Sequence, residues 1–259
     1  MSKNSKRRKF LQGLSSLGAI VALPAGAATT ATHNHSDKRA KTDVDSSEPT
    51  ALLFLTRAEA DFTDAALSCL IPSDALGPGA KEADVTFFID RQLHGAWGVM
   101  GRGYRLGPWP EGTPQQGYQS PLTPREVYRC AIREIDALCE SKYHKRFADL
   151  SRDHQDALLK ALDVGEVTLE SASGTLFMNL LWMNAQEGFF ADPIYGGNRD
   201  KVGWRLVGFP GVAAAYTDHV ERHGQPYDVE PVGIDDVLRR AVDLDEHAHP
   251  IHRKLTQSR

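Results

Sequence analysis

The chain has 259 residues, of which 41% are hydrophobic and 25% are charged, a composition that is ordinary for a globular protein. Its formal net charge is −4, but residues 1–28 carry five bases and no acid, and subtracting those five charges leaves −9 on the remainder. An acidic body lacks the basic face that a nucleic-acid-binding protein needs to displace counterions from phosphates. Nucleic acid is therefore excluded as a partner, and the three cysteines exclude a disulfide-rich scaffold.

Residues 1–28 have the three zones of an export signal: a basic head, a weakly apolar stretch and a run of small residues. The apolar stretch, residues 14–23, is much shorter than the roughly 20 residues that span a bilayer. Two adjacent arginines and two apolar residues at fixed spacing resemble the twin-arginine export motif: Arg7, Arg8, Phe10 and Leu11. Lys6 stands where that motif usually has Ser or Thr, and a general secretion signal is the alternative. We expect export of the folded chain by the twin-arginine translocase.

Residues 29–50 are polar and contain almost no large apolar side chain, which predicts a flexible linker. A helical domain is predicted over residues 51–231. Thr56 with Glu59 forms a capping-box pattern, and Ile71-Pro72 ends the helix that follows. The same helical spacing of apolar residues predicts further helices over residues 84–93, 123–143, 151–162 and 174–190.

Two long connections, residues 94–122 and 191–211, are rich in glycine, proline and aromatic residues. Because loops of this length in a compact domain are usually functional or disordered, their aromatic content favours ordered loops that pack on something. The predicted fold is therefore mainly α, a single helical domain with long ordered loops. Residues 232–259 form a charged, histidine-containing tail.

Sequence motifs for chemistry are lacking. No Cys-x-x-Cys-His haem motif, complete dinucleotide loop, Walker loop or nucleophile elbow occurs, so we predict no catalytic and no cofactor-binding residue. We also predict no metal site. Three histidines of the tail could supply zinc or copper ligands by composition, but an incidental cluster in a highly charged tail is the preferred interpretation: His247, His249 and His252.

The stretch from residue 184 to residue 211 is the most informative part of the chain. Gly196-Gly197-Asn198 supplies positions that tolerate positive φ, prolines stiffen both flanks, and aromatic side chains are frequent. These rings either close the domain's own core or form a preformed binding surface. The candidate partner-interface residues are Phe189, Phe190, Asp192, Pro193, Tyr195, Gly196, Gly197, Asn198, Arg199, Trp204, Phe209 and Pro210.

This stretch resembles the hallmark of the gluconate 2-dehydrogenase subunit 3 family, the small subunits of membrane-bound flavin-dependent sugar and sugar-acid dehydrogenases. The similarity covers most of residues 51–230 and includes residues 70–80, 88–93 and 117–126. The charged tail and Lys6 depart from the family pattern.

The resemblance implies a complex in which a large FAD-containing subunit oxidises the substrate and a multihaem cytochrome c passes electrons to the membrane. FAD and haem c would belong to those partners, and this chain would hold no cofactor. It would stabilise the flavoprotein and supply its twin-arginine signal, at the periplasmic face of the inner membrane. Tyr195, Trp204 and Phe209 are the expected anchors.

Two other interpretations remain open at this stage. A periplasmic metal carrier would use the tail histidines, and an exported hydrolase would need a nucleophile and base that the sequence does not reveal. The substrate, whether gluconate, 2-ketogluconate, fructose or another polyol, depends on the large subunit.

Overall fold

The computed structural model describes residues 51–110, 112–212 and 219–255. The predicted export signal and linker lie outside the described residues. The described part is mainly helical, and its β-structure consists of isolated bridges without any β-strand. The described residues form seven α-helices: α1 Arg57–Leu70, α2 Val85–His94, α3 Pro124–Tyr143, α4 Arg152–Asp163, α5 Gly174–Phe190, α6 Val202–Val207 and α7 Ile234–Leu238. The predicted mainly α fold is confirmed.

The helix starts follow the local capping chemistry of the sequence. At α1 the Glu59 carboxylate accepts the Thr56 N–H at 2.8 Å, and Thr56 Oγ1 accepts the Glu59 N–H at 3.3 Å. At α3 the Glu126 carboxylate accepts the Thr123 N–H at 2.7 Å, and Pro124 occupies the first helical position. These reciprocal bonds satisfy N–H groups that have no partner inside the helix. The five helices predicted over residues 56–190 are all present.

Aromatic rings from α1, α3, α5 and the short 3-10 turn Phe147–Asp149 form the centre of the core. The ring of Phe62 lies 4.4 Å from that of Phe147 and 6.2 Å from that of Phe177, measured between centroids. Tyr128 meets Phe177 edge-on at 5.3 Å, and its hydroxyl donates to Asn184 Oδ1 at 2.9 Å. The buried hydroxyl is thus satisfied. Burial raises the pKa of Tyr128 well above its ordinary value, and Glu187 adds to this shift.

A close helix crossing brings α2 onto the C-terminal half of α5. Gly188 faces α2, and a methyl group there would lie 2.7 Å from Val85 Cγ1 and 2.8 Å from Phe88 Cδ1. The absence of a side chain therefore sets the distance between the two helices. This crossing positions the end of α5, from which the candidate interface loop continues.

The segment before α1 is fastened to α2 by one buried carboxylate. Asp90, 1% exposed, accepts the N–H groups of Leu53, Phe54 and Leu55 at 2.7, 2.9 and 2.7 Å. Arg129 holds the same segment from α3, since it donates to Phe54 O at 3.1 Å and its guanidinium lies 4.4 Å from the Phe54 ring centroid.

The tail pairs with the end of the long loop. Val232 donates to Pro210 O at 3.0 Å, Val212 donates to Val232 O at 2.7 Å, and Glu230 donates to Arg253 O at 2.8 Å. The sequence did not predict these bridges or the short helix α7. Within the described ranges, no helix is both long and apolar enough to cross a bilayer.

Candidate partner interface

The loop after α5 begins with a short 3-10 turn over Pro193–Tyr195. The Asp192 carboxylate caps this turn by accepting the Ile194 N–H at 3.1 Å. Its second oxygen accepts the Ile234 N–H at 2.7 Å, so one side chain joins the loop to the tail. Gly196 ends the turn at φ 106°, a conformation that residues with a side chain rarely adopt.

Asn198 braces the middle of the loop from inside. It is fully buried, its Nδ2 donates to Ala191 O at 2.8 Å, and its Oδ1 accepts the Gly203 N–H at 2.8 Å. The backbone here lies directly on the end of α5, because a side chain at Gly197 or Gly203 would overlap main-chain oxygens of that helix. The Gly-Gly-Asn pattern therefore allows close contact between backbones.

Trp204, on α6, forms the small internal core of the loop. It is 5% exposed, and its Nε1 donates to Phe190 O at 2.7 Å. Its ring meets that of Phe209 edge-on, 5.2 Å between centroids. A side chain at Gly211 would lie 2.8 Å from the indole, so the chain passes directly over the ring.

Ion pairs attach the loop to its neighbours. Arg199 pairs with Asp84 at the start of α2, and its backbone N–H donates to Ala83 O at 3.0 Å. Partial burial raises the pKa of Asp84 above its ordinary 3.8, while Arg199 acts in the opposite direction. Lys201 pairs with Asp236 of α7 at 2.6 Å. The loop is thus held from both the helical core and the tail.

Several predicted interface residues do face outward. The side chains of Phe190, Tyr195 and Phe209 are exposed, and that of Tyr195 is the most exposed of the three, at 52%. The apolar side chain of Ile194, next to Tyr195 in the sequence, is exposed as well. We call these four residues the aromatic surface. Its supports are rigid, since Phe190 and Phe209 both contact Trp204 and Ile194 belongs to the capped turn.

Other predicted interface residues lie inside the protein. Phe189, Gly197, Asn198 and Trp204 are buried, so they hold the loop together and do not present a surface. Trp204 in particular is an internal support and not an exposed anchor as the sequence suggested. Of the remaining predicted residues, Arg199 is exposed. The other four are partly exposed: Asp192, Pro193, Gly196 and Pro210.

The structure adds a groove that the sequence analysis did not assign. It has a volume of about 490 Å³ and lies between residues 70–78 and α6. Leu76, Pro78 and Leu206 line it at the exposed side, and buried Phe189 lines it from within. The exposed Leu206-Val207 pair beside Gly208 was the available sequence signal. We call this cavity the Leu76 groove.

The tail histidines do not converge. The rings of His247 and His249 lie 6.0 Å apart on a turn built around Asp245, which accepts both backbone N–H groups. The nitrogens of His252 instead lie 3.0 Å from Val212 O and 3.3 Å from a second backbone oxygen. In the part of the chain that the structure describes, no three candidate ligands form a metal-binding group.

A family model described as gluconate 2-dehydrogenase subunit 3 matches residues 57–211, which is more than half of the chain. The chain belongs to the gluconate 2-dehydrogenase subunit 3 family. The resemblance seen in the sequence is confirmed, and the family implies association with the other subunits of a gluconate dehydrogenase complex. No curated protein and no solved structure matches the chain.

The matched region contains helices α1 to α6 and the whole loop over residues 191–211. The aromatic surface and both walls of the Leu76 groove therefore belong to the gluconate 2-dehydrogenase subunit 3 region. Residues 219–255, which include the described part of the tail, lie beyond the match.

Proposed function

We propose that this chain is the non-catalytic small subunit of a flavin-dependent dehydrogenase complex, where it binds and stabilises a large FAD-containing subunit. The family match supports a role as a subunit. FAD and haem c would reside in the large subunit and in a multihaem cytochrome c, respectively. The choice among gluconate, ketogluconate and other polyols would rest with the large subunit.

The aromatic surface is the observation that carries this proposal. Asn198 and Trp204 hold the loop in one conformation, so little freedom is lost when a partner covers it. Aromatic side chains on such supports are typical anchors of protein interfaces. Burying one large apolar side chain contributes about 1.5–3 kcal/mol. The predicted anchors Tyr195 and Phe209 are both available for this contact.

We further propose that this chain carries the export signal for the pair. The twin-arginine route transports folded cargo, and a large subunit without its own signal would cross the membrane bound to this chain. Arg7 and Arg8 would be read by the translocase. The assembled complex would then function at the periplasmic face of the inner membrane.

The binding role is tested with an affinity-tagged chain purified from its native host. FAD absorbance and mass spectrometry identify a co-purifying flavoprotein. The double change Tyr195→Ala and Phe209→Ala should lower bound FAD roughly tenfold or more, because two anchors are truncated. Tyr104→Ala, at an exposed tyrosine in another loop, is the matched control and should leave it unchanged. Wild-type FAD content in the double variant would refute the aromatic surface as the contact.

The export role needs a separate experiment. Changing Arg7→Lys together with Arg8→Lys should retain both the tagged chain and the FAD-containing partner in the cytoplasm. Fractionation followed by flavin and immunoblot analysis measures this. A flavoprotein that still reaches the periplasm would show that it does not depend on this chain's signal.

A further inference from the structure

We propose that the Leu76 groove is a second docking site for the large subunit and receives apolar side chains that project from it. This inference rests on the proposed function, since it assumes that a flavoprotein binds this chain. The groove would be a second contact site, apart from the aromatic surface, and it would bind apolar side chains of the partner.

Most of the residues that line the groove are apolar, and Asp74 and Arg205 are the charged ones among them. The end of α1 and the following residues Ile71 and Pro72 form one wall, while Val202 and Leu206 of α6 form the other. Leu76 at its edge is 77% exposed. Exposed apolar groups of this kind around a concavity mark binding sites more often than bare surface.

The wall formed by residues 71–80 is held rigidly. Asp74 and Gly77 exchange backbone hydrogen bonds of 3.1 and 3.2 Å, and Ala80 donates to Ile71 O at 2.9 Å. Gly79 permits this closure, because a methyl group there would lie 2.5 Å from Ile71 O. A groove with such walls exists before the partner arrives, so binding requires little ordering.

The charged groups at the groove are already used. The Asp74 carboxylate accepts the Leu76 N–H at 2.8 Å. Arg205 pairs with Glu230 at 2.7 Å and donates to Asp200 O at 3.1 Å. Both charged side chains are thus engaged within the chain, and the rest of the lining favours an apolar occupant.

The size of the groove fits side chains of a protein partner. A cavity of about 150 Å³ is sufficient to hold a benzene ring, and this groove has about 490 Å³. Two or three side chains the size of leucine or phenylalanine would fill it. The family match supports the large subunit as their source, since the chain belongs to a family of subunits and both walls lie within residues 57–211.

The test uses the tagged chain in its native host, with Leu76→Gln and Leu206→Gln combined. Both side chains are exposed, so the fold should persist, and an unchanged melting temperature checks this. The FAD-containing polypeptide recovered with the chain should fall at least tenfold. The control, Val164→Gln with Leu238→Gln, alters two other exposed apolar residues away from the groove, and this variant should recover the FAD-containing polypeptide as the wild type does.

A photo-crosslinking amino acid at position 76 supplies a positive readout. It should form an adduct with the flavoprotein, and the same group at position 164 should not. Full recovery of the flavoprotein by the groove variant, or an adduct only with a second copy of the chain, would overturn the inference. If the groove variant behaves as the wild type but the Tyr195 and Phe209 variant loses its co-purifying FAD, the proposed function stands and only the groove inference fails. If the wild-type chain itself never recovers a flavoprotein, the proposed function and the groove inference both fail.

Discussion

Replacing Asp90 by asparagine tests how strongly the segment before α1 is bound. The carboxylate is 1% exposed and accepts three backbone N–H groups, from Leu53 on one oxygen and from Phe54 and Leu55 on the other. Asparagine keeps the shape but offers one oxygen and one NH₂ group. The NH₂ group would face the Leu53 N–H, so that two donors would lie against each other.

The magnitude follows from these three bonds. A hydrogen bond to a charged group contributes about 1.5–3 kcal/mol, and a neutral one about 0.5–1.5 kcal/mol. Asp90→Asn would lose the bond to Leu53, about 1.5–3 kcal/mol, and the charge assistance of the other two, about 1–1.5 kcal/mol each, for a total of about 3.5–6 kcal/mol. Residues 53–55 can instead detach, and their N–H groups then bond to water, which limits the loss. We therefore expect the free energy of unfolding to fall by about 3 kcal/mol.

Urea unfolding of wild type and variant measures that difference, and hydrogen exchange shows where it arises. The amides of residues 53–55 should lose protection first. Asp61→Asn on α1 is the control: it weakens an ion pair with Arg57, one partner of which is largely exposed, and should cost less than about 1 kcal/mol. A stability change below that value in Asp90→Asn, with unaltered exchange at residues 53–55, would refute the reasoning.

Two further predictions concern packing and pH. Gly188→Ala should lower the free energy of unfolding by about 1–2 kcal/mol, because the clash of the new methyl group with Val85 and Phe88 outweighs the gain in helix propensity. Thermal unfolding measures this change, and a variant more stable than wild type would contradict the close helix crossing. Hydrogen bonds from Thr123 hold the pKa of Glu126 below its ordinary 4.5, so the ionised carboxylate stabilises the fold above that pH and this contribution is lost as the pH falls below it. Because the carboxylate is largely exposed and solvent screens its charge, Glu126→Gln should be less stable than wild type at pH 7 by no more than about 1 kcal/mol, with a difference that shrinks below pH 4.5; a constant difference would exclude the titration.

Much of the helical framework could be predicted because its signals are local. The Thr56–Glu59 and Thr123–Glu126 capping boxes act over three residues, and Pro72 blocks continuation of α1 just beyond its end. Regular spacing of apolar residues then identifies the buried side of each helix. The short helix α6 was missed, since six residues between Gly-rich turns do not establish a periodicity.

The candidate site was predicted as a region but not residue by residue. Phe189 and Phe190 are adjacent and chemically identical, yet the first is buried and the second exposed. One step along a helix turns a side chain by about 100°, so the outcome depends on what packs there. Trp204 is buried because Phe190 O and Gly211 lie beside it, and neither neighbour is close in sequence.

The amino-acid sequence by itself determined the approximate bounds of the five longer helices, the acidic character of the body and the family, because each depends on residue types at short or fixed spacing. Only the tertiary structure decided which aromatic side chains are exposed and that residues 70–78 and α6 enclose a groove. The physical reason is that burial and concavity arise where distant segments meet. Asn198, Asp192 and Gly188 bring those segments together through contacts that a linear pattern does not reveal.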